Sequence, residues 1–184
     1  MRRIVFMRVP RIWWRTACLV GVVLLPGLLL TSFGDKDAEL NDGLTAARAG
    51  DYNGALEIWL PLAQRGSSEA QFRLGWLYET GLGTGKDPIM AARWYSQAAA
   101  QGHSRALYSL GLFSYHGWGT PQDDTKAANY LFEAAEKGYA KAQYTVGILY
   151  KIGRGVPKDL SKARYWFNRA KTNGYVHPND SNQV

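Results

Sequence analysis

Any chemistry in this chain has to be built from three histidines, one cysteine, a set of spaced aspartates and one glycine-rich string. His103, His116 and His177 are scattered, and no pair has the helical or turn spacing that brings two imidazoles to one zinc ion. Cys18 stands alone, so it forms neither an intramolecular disulfide nor a cysteine-based metal site. The glycines of GLGTGKD, from Gly81, suggest a phosphate loop. That loop needs Gly at position 80 and Ser or Thr at position 87, where Thr80 and Asp87 stand. No Gly-x-Ser-x-Gly nucleophile elbow occurs. The residues therefore predict no enzyme, no cofactor and no metal.

The same residues fall into place as parts of a repeat. Three segments, AQFRLGWLYETGLGTGKDPIMAARWYSQAAAQGH from Ala70, ALYSLGLFSYHGWGTPQDDTKAANYLFEAAEKGY from Ala106 and AQYTVGILYKIGRGVPKDLSKARYWFNRAKTNGY from Ala142, align without a gap at a period of 36 residues. Gly75, Gly111 and Gly147 share a column, as do Gly83, Gly119 and Gly155, and Gly102, Gly138 and Gly174. A partial earlier copy places Asp51, Ala55 and Gly66 one period before Asp87, Ala91 and Gly102. Within each unit, spacings such as Ala91, Trp94, Tyr95, Ala98 and Ala70, Leu74, Leu77, Tyr78 predict two antiparallel amphipathic helices. Asp51, Asp87, Asp123 and Asp159 each precede a second helix, and Pro88 follows Asp87, which reads as N-cap then Pro at the first helical position. A Gly repeated in mid-helix costs about 1 kcal/mol relative to Ala. Its recurrence predicts a close helix approach, with the alanine columns of the second helix as the opposing surface. His103 shares its column with Tyr139 and Tyr175 and reads as a packing or turn position, and His116 as a helix-terminal residue.

Length and charge set the wider frame. A chain of 184 residues with 46% hydrophobic and 20% charged residues buries one ordinary core. The net charge of +7 is concentrated in Arg2, Arg3, Arg8, Arg11 and Arg15; from residue 35 onward 17 Lys or Arg face 15 Asp or Glu, so no nucleic-acid field is present. After those arginines come eighteen uncharged residues, Thr16 to Phe33, and then Asp35, Asp37 and Glu39. That order predicts an N-terminus in the cytoplasm and export of the remainder, into a bacterial periplasm. Ser32 and Gly34 suit cleavage before Asp35, and an uncleaved membrane anchor over residues 16–33 is the alternative. The expected organisation is a leader over 1–34, a hairpin over 35–69, three repeats over 70–175 and a disordered tail over 176–184.

The pattern AxxxxGxxYxxGxGxxxDxxxAxxWxxxAAxxG, filled by Ala142, Gly147, Tyr150, Gly153, Gly155, Asp159, Ala163, Trp166, Ala170 and Gly174, resembles the Sel-one-like repeat, a long-looped relative of the tetratricopeptide repeat. The resemblance implies an all-α fold, a right-handed α-solenoid of stacked helix hairpins whose first helices line a concave surface that holds another protein. The unit before Ala70 is closer to an ordinary tetratricopeptide hairpin. Ser114 departs from the aromatic column of Tyr78 and Tyr150, and looser packing is expected there. Some relatives bind beta-lactams and carry paired cysteines in each repeat; this chain has no such pairs.

Partner-reading residues are expected where the repeat is irregular. Glu79, Tyr115 and Lys151 differ within one column, and so do Leu82, Trp118 and Arg154 in the loops. The exposed face of the first helices adds Trp76, Arg105, Tyr108, Lys141 and Tyr144, with packing between hairpins as the alternative role for the aromatic columns. Tyr, Trp and Arg are the types enriched in hot spots. Residues 101–184 carry eleven basic and six acidic side chains, which suits a protein partner with an acidic surface. The expected function is a periplasmic scaffold or adaptor; an immunity protein blocking a toxin enzyme and, more remotely, a hydrolase on this fold are the alternatives.

Overall fold

A computed structural model describes residues 25–176 and the side chains of residues 37–176. The arginine-rich start and the first half of the apolar run of the expected leader, and the tail beyond Val176, lie outside the described residues. Residues up to Glu39 and residues from Leu40 onward form separate units, and the second holds all the repeats. Among the described residues no helix is long and apolar enough to cross a membrane.

Four aspartates start four helices. Asp51 accepts from the Gly54 N–H, Asp87 from Ile89 and Met90, Asp123 from Lys126 and Asp159 from Lys162, opening α2 (Tyr52–Gln64), α4 (Pro88–Ala100), α6 (Asp124–Glu136) and α8 (Leu160–Thr172). The intervening helices are α1 (Leu25–Arg48), α3 (Ser68–Thr80), α5 (Ser104–His116) and α7 (Ala140–Ile152). Gly81, Gly117 and Gly153 close α3, α5 and α7 in the left-handed conformation, their N–H groups donating to Leu77, Phe113 and Leu149. From α2 onward each helix packs on its successor, giving an all-helical stack of sequential hairpins.

The mid-helix glycines face large side chains rather than the alanine columns that the sequence suggests. A Cβ at Gly75 would lie 2.5 Å from the Tyr95 ring, one at Gly111 2.7 Å from Leu131 Cγ, and one at Gly147 2.6 Å from the Phe167 ring. In the first hairpin Gly43 meets Trp59 in the same way. Trp59, Tyr95, Leu131 and Phe167 are one column of the repeat, so each hairpin locks a bulky residue of its second helix into a gap in its first. The alanines Ala91, Ala127, Ala163, Ala98, Ala134 and Ala170 are buried beside them.

Between hairpins, two buried glutamines act as bolts. Gln71 Nε2 donates to the Ala63 carbonyl at 3.1 Å while its Oε1 accepts from Gln101 at 2.8 Å; Gln143 repeats this with Ala135 at 3.0 Å and Asn173 at 2.9 Å. Both amides are thus satisfied away from water. Leu107 takes the place in the middle repeat. The long loops also bridge units: Gly83 sits on the Tyr52 backbone, Gly119 on the Pro88 carbonyl and Gly155 on the Asp124 carbonyl, each the start of the preceding hairpin's second helix.

Candidate protein-interaction face

The first-helix positions expected to meet a partner divide into three groups. Arg105, Tyr108 and Trp76 are used between hairpins, and Tyr144 packs within its own. Arg105 Nη2 donates to both carboxylate oxygens of Glu69, at 3.0 and 2.8 Å, and its guanidinium lies 4.8 Å from the Phe72 ring centroid. Tyr108 meets Tyr139 edge to face at 5.2 Å, Tyr144 lies against Phe167 and Tyr175, and Trp76 lies 6.0 Å from Tyr52.

Glu69 is the hub of that seam. Burial pushes its carboxyl upward, but the hydrogen bond with His103 and the charges of Arg73 and Arg105 outweigh it and hold the pKa at about 2. His103 serves twice: Nδ1 caps α5 by accepting from the Ala106 N–H at 3.2 Å, and Nε2 lies 2.9 Å from Glu69. Its ring stacks on Phe72 at 4.9 Å. Its Nε2 contact to Glu69 is the part a packing reading leaves out, and no spacing in the sequence signals it.

The second group gathers at the loop end of α5 and α7. The Arg154 guanidinium lies 3.6 Å from the Tyr115 ring centroid, Nε donates to Asp124 at 2.9 Å and Nη2 to the Tyr115 carbonyl at 3.4 Å. The Asp124 hydrogen bond raises the Arg154 pKa further above its ordinary value. Trp118 is 48% exposed, yet its ring is stacked on His116 at 4.3 Å and held edge-on by Phe113 at 5.9 Å. His116 in turn meets Tyr115 at 4.9 Å, so Trp118, His116, Tyr115 and Arg154 form one continuous run. A groove of about 460 Å³ opens beside it, lined by Glu79, Lys86, Pro88, Phe113 and Trp118. Glu79 accepts a hydrogen bond from the Tyr95 hydroxyl, a phenol held well above its ordinary pKa by burial and then by that carboxylate.

The third group, Lys141 and Lys151, is exposed and forms no ion pair among the described residues. The structure thus brings Tyr115, Trp118 and Arg154 together, and among the described residues no ion pair or cation–ring contact joins the two lysines to them. Sequence reasoning missed His116, Asp124 and Lys86 at this site. For Asp124 there was a signal, because only that unit carries two consecutive aspartates at the cap.

The chain is 32% identical to a Sel1 repeat protein from Oxalobacter formigenes over 73% of its length, with a TM-score of 0.70. It is 28% identical over 80% of its length to c5321, a protective antigen of uropathogenic Escherichia coli strains with an SLR fold, with a TM-score of 0.73. MamA, 21% identical with a TM-score of 0.52, is covered over 83% of its chain by 80% of this one and shares the fold. The chain spans 56% of the first of these proteins and 32% of the second. No curated protein matches it. The Sel1 repeat model matches residues 68–103, 104–139 and 140–175, each unit running from the N-terminus of a first helix to the glycine turn after the second. Repeats of this kind generally mediate protein interactions. With three units in phase over most of its length, this chain belongs to the Sel1 repeat family.

Proposed function

We propose that the protein is an exported, periplasmic scaffold or adaptor that holds another protein against the first-helix face and the loops that follow it. The observation that carries this reading is Trp118, an indole half exposed to solvent but fixed by two rings, beside a cation seated on Tyr115. A large amphipathic side chain immobilised before binding loses little entropy on association, which is the economy of a hot spot. Lys141 and Lys151, at the two ends of α7, add positive charge on the next first helix and favour a partner with an acidic surface. Export is supported by the order of arginines, apolar run and acids at the N-terminus.

The test is affinity capture from the exported fraction with the parent and with Trp118→Ala, followed by mass spectrometry. One protein retained by the parent and lost with the variant is the expected result. Equal capture by both, with the variant folded, overturns this face as the binding site. A captured toxin enzyme whose activity the chain suppresses would convert the scaffold into an inhibitor.

A further inference from the structure

A second opening lies between α4 and α6, with α5 as its floor, and its origin is visible in the repeat. At the seam between the middle and last units Phe132 and Tyr150 pack edge to face, 5.5 Å apart, and the Lys162 ammonium lies 5.3 Å from the Tyr150 ring. One period earlier the same positions are Ser96, Ser114 and Lys126. Two rings are replaced by two hydroxyls, and a groove of about 400 Å³ remains, lined by all three residues.

The groove carries unspent polar capacity. Ser114 is 1% exposed, and its Oγ has no hydrogen-bond partner among the described residues; the buried Oγ1 of Thr120, on the adjoining loop, has none either. A buried hydroxyl without a partner is costly, and here two line one opening. Two cations line the same opening. Arg93 has only the Met90 sulfur, at 3.9 Å, and Lys126 only the Tyr130 ring, at 5.9 Å; neither is paired with a carboxylate among the described residues. Ala92, Leu110 and Tyr130 supply apolar wall.

We infer that this groove is a binding site for a small organic acid, a carboxylate on an apolar body about the size of one aromatic ring. The body takes part of the space that the Phe and Tyr rings fill one repeat later. Its carboxylate meets Arg93 and Lys126, and the Ser114 and Thr120 hydroxyls hydrogen-bond to whatever polar atom reaches the floor. None of the lining residues is among those assigned to the protein partner, so this site is independent of the scaffold reading.

The probes are 3-phenylpropionate and its neutral amide, titrated against the full chain while the backbone amide signals of Ala92, Ser114 and Thr120 are followed by NMR. The acid is expected to give saturable shifts at these amides and the neutral amide to bind about tenfold or more weakly. Ser96→Phe with Ser114→Tyr, which installs the residues found one repeat later, should abolish the shifts while melting at or above the parent temperature. Arg93→Gln with Lys126→Gln should weaken the acid about tenfold and leave the neutral amide unchanged. Absence of saturation up to about 10 mM, or undiminished binding by the filled variant, overturns the site. Equal affinity for acid and amide overturns its anion selectivity. A peptide ending in Phe with a free carboxylate that binds at these amides about tenfold more tightly than the acid overturns the small-molecule ligand in favour of a chain terminus.

Discussion

Glu69 and Arg105 stand 36 residues apart, one period of the repeat, and are joined by two hydrogen bonds of 3.0 and 2.8 Å. At this seam equivalent positions of successive units carry opposite charges and clasp one hairpin to the next; the third unit has Lys141 there. Because the Glu69 carboxyl falls from 4.5 to about 2 on folding, its contribution is complete above pH 4.5 and is lost as pH falls through 2. Its side chain is 24% exposed, and solvent screening limits the contribution to on the order of 1 to 2 kcal/mol. Denaturant unfolding measured between pH 5 and pH 2 should therefore show a steeper loss of stability for the parent than for Glu69→Gln. Parallel curves would remove the clasp from the account.

The glycine gap makes a second prediction. Gly111→Val should cost about 1 to 3 kcal/mol, because the new side chain enters the space of Leu131. Adding Leu131→Ala should recover part of that loss in the double variant, whereas alone it costs about 2 to 5 kcal/mol. Additive melting losses would show that the two residues do not share one space.

Gly119 and Gly138 separate backbone strain from contact. Both have positive φ, +61° and +87°, but a Cβ at Gly138 meets nothing within 4 Å, while one at Gly119 overlaps the Pro88 carbonyl. Gly138→Ala should cost about 1 to 2 kcal/mol from the left-handed conformation alone. Gly119→Ala should cost clearly more, and comparison of urea midpoints decides it.

At the proposed interface, Tyr115→Ala and Trp118→Ala should each weaken partner binding by about 1 to 4 kcal/mol. Lys151→Glu should slow association and reduce its salt sensitivity. Arg154→Glu should act less through steering, since Asp124 already neutralises much of that cation, and more through loss of the Tyr115 contact and a new repulsion at Asp124. Association rates at two salt concentrations, with thermal melts as the folding control, test these expectations.

The hairpins, their register and all four aspartate caps were legible because each rests on local chemistry that the repeat restates in every unit. The loosened packing at Ser114 was legible as a break in a column. What faces Gly75, Gly111 and Gly147 was not, since a tolerant column of Trp, Tyr, Leu and Phe has no fixed identity to align. The Arg154–Asp124 pair spans 30 residues, less than one period, and joins different columns, so periodicity does not reveal it. Gln71 and Gln143 recur two periods apart with Leu107 between them, and their burial follows only from the packed hairpins.

The seats of Gly83, Gly119 and Gly155 are main chain: the backbone of Tyr52, the carbonyl of Pro88 and the carbonyl of Asp124. The side-chain atoms that come near, at Tyr52 and Ala128, are Cβ carbons, which every residue but glycine carries. At this loop contact a unit finds its footing on whatever residue begins the neighbouring helix, provided the length of the repeat is kept, while the Glu69–Arg105 pair and the buried glutamines remain specific to their own seams. The connector is generic and the exposed columns are free to diversify, so arrays of this kind can change length and specificity as separate events.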